Sequence, residues 1–134
     1  MDVKKMIADA LNARQNSYSV YSGFRVGACI AAYSGKYYTG CNIENASYGA
    51  TVCAERVALF KAVSEGERNF EGIAIVGGKD ATDICPPCGI CRQVLTEFCG
   101  KDFKVVLAKS VDEYQIYKLE ELLPLSFGQA DLRK

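Results

Sequence analysis

The sequence contains no histidine. That absence excludes a histidine-activated nucleophile and every zinc site built on an imidazole ligand. Net charge is absent too, because 16 Lys and Arg offset 16 Asp and Glu. Without an excess of one sign there is no long-range field to gather a polyanion, which argues against a nucleic-acid polymer as partner. No stretch of the sequence approaches the roughly 18 apolar residues of a membrane span, so no membrane partner is expected. The opening MDVKKMIADALNARQ is charged from its second residue. It lacks the apolar core of a secretory signal, and a cytoplasmic location is the expectation.

Thiols, by contrast, are plentiful. Seven cysteines in a chain without an export signal should stay reduced, and an odd number cannot pair completely. Metal binding or thiolate chemistry is therefore the question they raise. The 134 residues, 49% hydrophobic and 24% charged, are expected to form a single domain, 1–134, large enough to bury a core.

Apolar residues at Val3, Met6, Ile7, Ala10 and Leu11 recur at helical spacing, with Asp2 as the candidate N-cap. Residues 24–33 and 37–42, separated by Ser34-Gly35-Lys36, read as a hairpin. Thr51 is a candidate cap for a helix over 52–65 that stops at Gly66. Residues 70–77 form a short apolar strand, 78–87 a loop, and a second helix should start at Pro87 or Cys88 and end near Gly100. Strands over 103–108 and 114–118 and a short helix over 119–123 close the pattern. The expected fold is α/β: a three-layer α/β/α sandwich around a mixed five-stranded sheet, with parallel pairing in the middle and antiparallel edges. In such sheets sites form where helices begin beyond strand ends.

Two helix starts carry cysteine. TVCAERVALF holds Cys53 and Glu55; PPCGICRQV holds Cys88 and Cys91. The paired cysteines have the spacing of a metal clip or of a redox dithiol, and Cys85, three positions earlier, sharpens that ambiguity. Cys53 alone would read as a small core hydrophobe, and Glu55 alone as an ordinary first-turn acid favoured by the helix dipole. Together, three thiolates fill three tetrahedral positions of Zn2+ and leave the fourth for water, one ion per chain. Arg56 is either a surface arginine or electrostatic support for the thiolates.

At this point the chain resembles a known family, the small homotetrameric cytidine deaminases of the cytidine and deoxycytidylate deaminase superfamily. The markers are YSVYSGFRVGA, GCNIENASY, CAER, AVSEG, PCGICRQV and EELLP, spread through nearly the whole chain. The resemblance implies hydrolytic deamination of free cytidine and deoxycytidine, as in pyrimidine salvage. Water activated by zinc would attack C4 of the base, with Glu55 shuttling protons. It implies that Asn42 and Glu44 grip the ribose 3′-hydroxyl and Phe24 packs beside the pyrimidine. Ala54 would offer a backbone N–H to the base, and Tyr48 would line the pocket. Phe127 would reach into a neighbouring subunit of a homotetramer whose sites lie at subunit interfaces. Val20, Pro86 and Ile90 stand where relatives commonly have Pro, Ser and Ala, and none of these departures removes a ligand. Three rivals remain: an antibiotic deaminase of the blasticidin type, a polynucleotide-editing deaminase, and a non-catalytic zinc or dithiol module.

Overall fold

The computed structural model describes residues 1–134. The first helix, α1 (Val3–Arg14), starts where the Asp2 carboxylate accepts a hydrogen bond from the Lys5 N–H at 3.1 Å. Its buried stripe, Met6, Ile7 and Ala10, packs on Cys29, Ala31, Ala74, Val76, Val106 and Ala108, one face of the sheet. The hairpin β1 (Arg25–Ala32) and β2 (Tyr37–Cys41) turns at Gly35, whose φ of 91° suits glycine. A 3₁₀ turn at Tyr48–Ala50 precedes α2 (Ala54–Ser64). Then come β3 (Phe70–Gly78), α3 (Gly89–Phe98), β4 (Lys104–Ser110), β5 (Glu113–Lys118) and two short helices, α4 (Leu119–Leu122) and α5 (Gln129–Leu132). No helix is long and apolar enough to cross a membrane.

The sheet order is β2-β1-β3-β4-β5. Both β1 and β3 are buried along almost their whole length, because helices cover both faces; their sequences accordingly run apolar without alternating. On the second face α2 and α3 meet Ile30, Ile73, Ile75, Val105 and Leu107, with Leu59 and Leu95 fully buried between. Each such side chain contributes about 1.5–3 kcal/mol relative to exposure. The layers are α1, sheet, and α2 with α3, as the sequence pattern leads one to expect.

Two expectations need correction. Only β3 and β4 pair in parallel, and β1 lies antiparallel to β3 in the middle of the sheet. The chain leaves β2, crosses through α2 and lands beyond β1, so β1 is flanked by two strands running opposite to it. The second helix starts at Ala54 rather than Val52, and its cap is Cys53 rather than Thr51. The reason is a β-bridge: Val52 exchanges backbone hydrogen bonds with Ile43 at 2.9 and 3.0 Å and stays extended. The Thr51 hydroxyl serves the N–H of Asn45 instead.

The seat of α2 on the hairpin depends on Gly40. A Cβ there would lie 2.6 Å from both the Ala54 carbonyl oxygen and the Ala58 nitrogen. Gly40→Ala should therefore push the first turn of α2 off β2, with a loss of about 1–3 kcal/mol in denaturant unfolding. Gly100→Ala, where no atom lies within 4 Å of the added carbon, should leave the unfolding midpoint unchanged or slightly raised.

Candidate functional site

The correction at the start of α2 matters for chemistry. Cys53 is the N-cap of α2 and Cys88 the N-cap of α3, both with extended backbone. Neither side chain caps the backbone N–H groups of its own helix, so both sulfurs are free to point elsewhere. They point at each other: the Cys53 and Cys88 Sγ atoms are 3.6 Å apart, and Cys88 and Cys91 Sγ atoms 3.5 Å. All three lie within 4.8 Å of one another. Sulfurs held about 2.3 Å from one tetrahedral zinc stand roughly 3.8 Å apart, so the trio fits a zinc triangle. Cys85 is not part of it. Its thiol packs against the core, and burial pushes its pKa up to about 11. Cys29 faces α1 on the other side of the sheet, and burial likewise raises Cys99 to about 12.

The trio sits in a positive field. Two helix N-termini converge on it, each with unpaired N–H groups and the positive end of its dipole. Arg56, half-buried in the first turn of α2, donates from Nη2 to the Cys53 sulfur at 3.3 Å. Burial opposes the arginine's charge, but its hydrogen bonds to Cys53 and Cys91 outweigh that and raise its pKa. Its Nε is buried without a partner. Arg56 therefore faces the sulfur trio rather than open solvent alone. The Cys53 thiol is brought down to about 5 by the Cys91 thiol, then Arg56 and Cys88, against its burial. Cys91 moves the opposite way, chiefly through the same bond.

Glu55, two residues past Cys53, is 5% exposed and one of two buried polar side chains. Desolvation is the main cause of a pKa raised to about 7, to which the Cys53 charge adds. An ordinary first-turn acid would lie in solvent. A carboxyl poised near neutrality beside a metal-binding trio is instead suited to take up and give back a proton. Ala54, fully buried, is the first residue of α2 and so has no preceding helical carbonyl for its N–H.

The other predicted residues lie on the segments before β1 and after β2 and on the C-terminal tail. Asn42 is buried, and most of its amide is already in use: the oxygen accepts from Ser17 Oγ at 2.5 Å and Val26 N–H at 2.9 Å, and Nδ2 donates to Phe24 O at 2.8 Å. One amide proton remains. Glu44 accepts from the Ser22 hydroxyl, the Ser22 N–H and the Tyr21 N–H. The Ser22 bonds, hydroxyl first, lower its pKa despite some desolvation. With Tyr21, Ser22, Asn45, Tyr48 and Thr51 it lines a cavity of about 390 Å³. Tyr48 is 76% exposed and meets Tyr21 edge to face, so it is no packed loop residue. Phe24, 39% exposed, is not a core residue either. Phe127 projects at 57% exposure from a tail whose carbonyl at that residue accepts from Gln93. Sequence reasoning missed Ser17, Tyr21 and Ser22, since serines and backbone N–H groups in a loop give no signal until the loop is folded around its carboxylate.

The chain as a whole is similar to known proteins. Residues 1–108 match the family model described as the cytidine and deoxycytidylate deaminase zinc-binding region. The chain is 46% identical over 132 residues to a cytidine deaminase of Sporosarcina psychrophila, covering 98% of this chain and 96% of that one. It is 47% identical over 132 residues to a cytidine deaminase of Halalkalibacterium halodurans, covering 98% of each. Its fold superposes on the crystal structure of cytidine deaminase from Burkholderia pseudomallei with a TM-score of 0.87 at 41% identity, over 95% of this chain and 100% of that one. Matched over residues 1–108 by the family model and over nearly all of its length by these relatives, the chain belongs to the cytidine and deoxycytidylate deaminase family.

Proposed function

We infer that this chain, acting as one domain over residues 1–134, hydrolyses free cytidine and deoxycytidine to uridine and deoxyuridine with release of ammonia. The carrying observation is the buried Glu55 beside three convergent sulfurs at paired helix starts. Cys53, Cys88 and Cys91 would hold one zinc, which when bound supplies Lewis acidity that makes water acidic near neutral pH. Glu55 takes one proton of the attacking water and delivers it to N3 of the base; it then takes the second from the new C4 hydroxyl and passes it to the amine as the C–N bond breaks and the C4 carbonyl forms. Its near-neutral pKa suits this shuttling. Arg56 and the two helix N-termini offset the negative charge that three thiolates bring to a divalent ion.

The remaining amide proton of Asn42 donates to the ribose 3′-hydroxyl and the ionised Glu44 accepts from it. A phosphate at that oxygen would face the Glu44 charge, so polynucleotides are disfavoured. Phe24 and Tyr48 border the bound nucleoside, and the Ala54 N–H serves the base. Several copies assemble in this reading, and Phe127, which is exposed in the single chain, completes a neighbour's pocket. The assembly in this reading is a homotetramer, working in the cytoplasm in pyrimidine salvage.

Glu55→Gln should retain stoichiometric zinc while cytidine turnover, followed by ultraviolet absorbance, falls about 10²- to 10⁴-fold, or roughly 3–5 kcal/mol of barrier; near-normal turnover in that variant would remove Glu55 from the mechanism. Stripping zinc with a chelator under reducing conditions should abolish deamination, and adding one equivalent back per chain should restore it. Light scattering should give four times the chain mass, and Phe127→Ala should raise KM for cytidine without emptying the metal site.

A further inference from the structure

Arg14 ends α1, on the sheet face opposite α2 and α3. Its guanidinium nevertheless reaches the sheet end where the metal loop begins. Nε donates to the Arg25 carbonyl at 3.0 Å, and Nη2 lies 2.8, 3.4 and 3.1 Å from the carbonyl oxygens of Gly78, Lys79 and Asp80. Arg25 and Gly78 are cross-strand partners, at the start of β1 and the end of β3. One planar fork therefore joins the two strands at the point where each hands over to a functional segment. Arg25 follows Phe24. Gly78 opens the ten-residue connection that ends in Cys88.

We propose that Arg14 is a positioning residue of the active site, clamping the connection from Lys79 to Cys88 and the Phe24 segment in one fixed relation. The inference rests on the deaminase reading for its kinetic consequence but not for the clamp itself. The connection needs such a clamp because its first turn is tight. Gly78 has a φ of 151°, and a Cβ there would overlap the Ala81 carbonyl oxygen. Beyond that turn the chain doubles back, with the Asp83 N–H donating to the Gly77 carbonyl at 2.8 Å and the Thr82 hydroxyl to Lys109 O at 2.6 Å. Cys85 and Phe24 then close on Gly77, whose missing Cβ would lie 2.8 Å from the Cys85 sulfur and 3.3 Å from the Phe24 ring. A shift of the carbonyls at 78–80 thus moves both the approach to Cys88 and the wall formed by Phe24. Lysine offers a point charge and no fork, so it cannot serve the carbonyls of Arg25 and Gly78 together.

The test compares Arg14→Met and Arg14→Lys with Arg68→Met, whose guanidinium bonds only the Val63 and Glu67 carbonyls at the far end of α2. Arg14→Met should speed hydrogen exchange across 79–88 while β4 stays protected. It should also release zinc to a chromogenic chelator and lose kcat/KM for cytidine by about tenfold or more, the usual effect of removing outer support from a metal site. Millimolar guanidinium ion should restore part of both losses, and Arg68→Met should show neither. If Arg14→Met does not fold, Arg14→Lys is read in the same way. Unchanged exchange and zinc release in the Arg14 variants, or equal losses in Arg68→Met, would overturn the proposal. A wild-type protein inert towards cytidine would sink the deaminase reading instead, and exchange and zinc release would still decide the clamp.

Discussion

Cys53 and Cys88 occupy the same position in two different helices, the extended residue whose carbonyl begins the helical ladder. In most proteins that position is taken by Ser, Thr, Asp or Asn, whose side chain turns inward to cap its own helix. A thiol caps poorly and is free to turn outward, and here the two sulfurs meet at 3.6 Å. Everything else at the site follows from that meeting. It aims two helix dipoles at one point, places Cys91 one turn further along α3, and puts Glu55 and Arg56 on the first turn of α2 beside the sulfurs.

The position of those helix starts is a property of the sheet. Gly40 lets the backbone of α2 lie directly on β2, and the bridge between Ile43 and Val52 delays the helix until Cys53. The parallel pair β3 and β4 forces a crossover through α3, whose start must fall at the same sheet end as the end of β3. The side proposed for substrate is built differently, from loops. Asn42 stitches the Phe24 segment to the end of β2, and Glu44 organises the Tyr21-Ser22 turn. Both are polar groups whose hydrogen bonds order the very segments that a nucleoside would touch.

Much of this was legible in the residues. The helix of 3–14 announced itself by period and by Asp2, and the hairpin by Ser34-Gly35. The three cysteines with Glu55 stood out because their spacing serves one ion. Other parts were not legible. Thr51 has the chemistry of a cap, and only the bridge at Val52, a contact with a residue nine positions away, takes that role from it. Glu55 taken alone reads as a solvated first-turn acid, since burial depends on what covers the first turn of α2. Arg14 gave no signal at all, because its partners are backbone carbonyls, which look alike at every position.

The sequence by itself determined which chemistry was available: thiolates without imidazole, one acid at a cysteine-bearing helix start, and no charge surplus for a polyanion. Residue type and short-range spacing suffice for that, because a sulfur is a soft ligand and a carboxyl a proton carrier wherever they stand. The tertiary structure decided which of seven thiols act together, which acid is desolvated to near-neutral pKa, and which arginine faces a sulfur. Those are long-range matters. Distance and dielectric are set by segments 30 and more residues apart, and only the packed sheet brings Cys53 and Cys88 within reach of one ion.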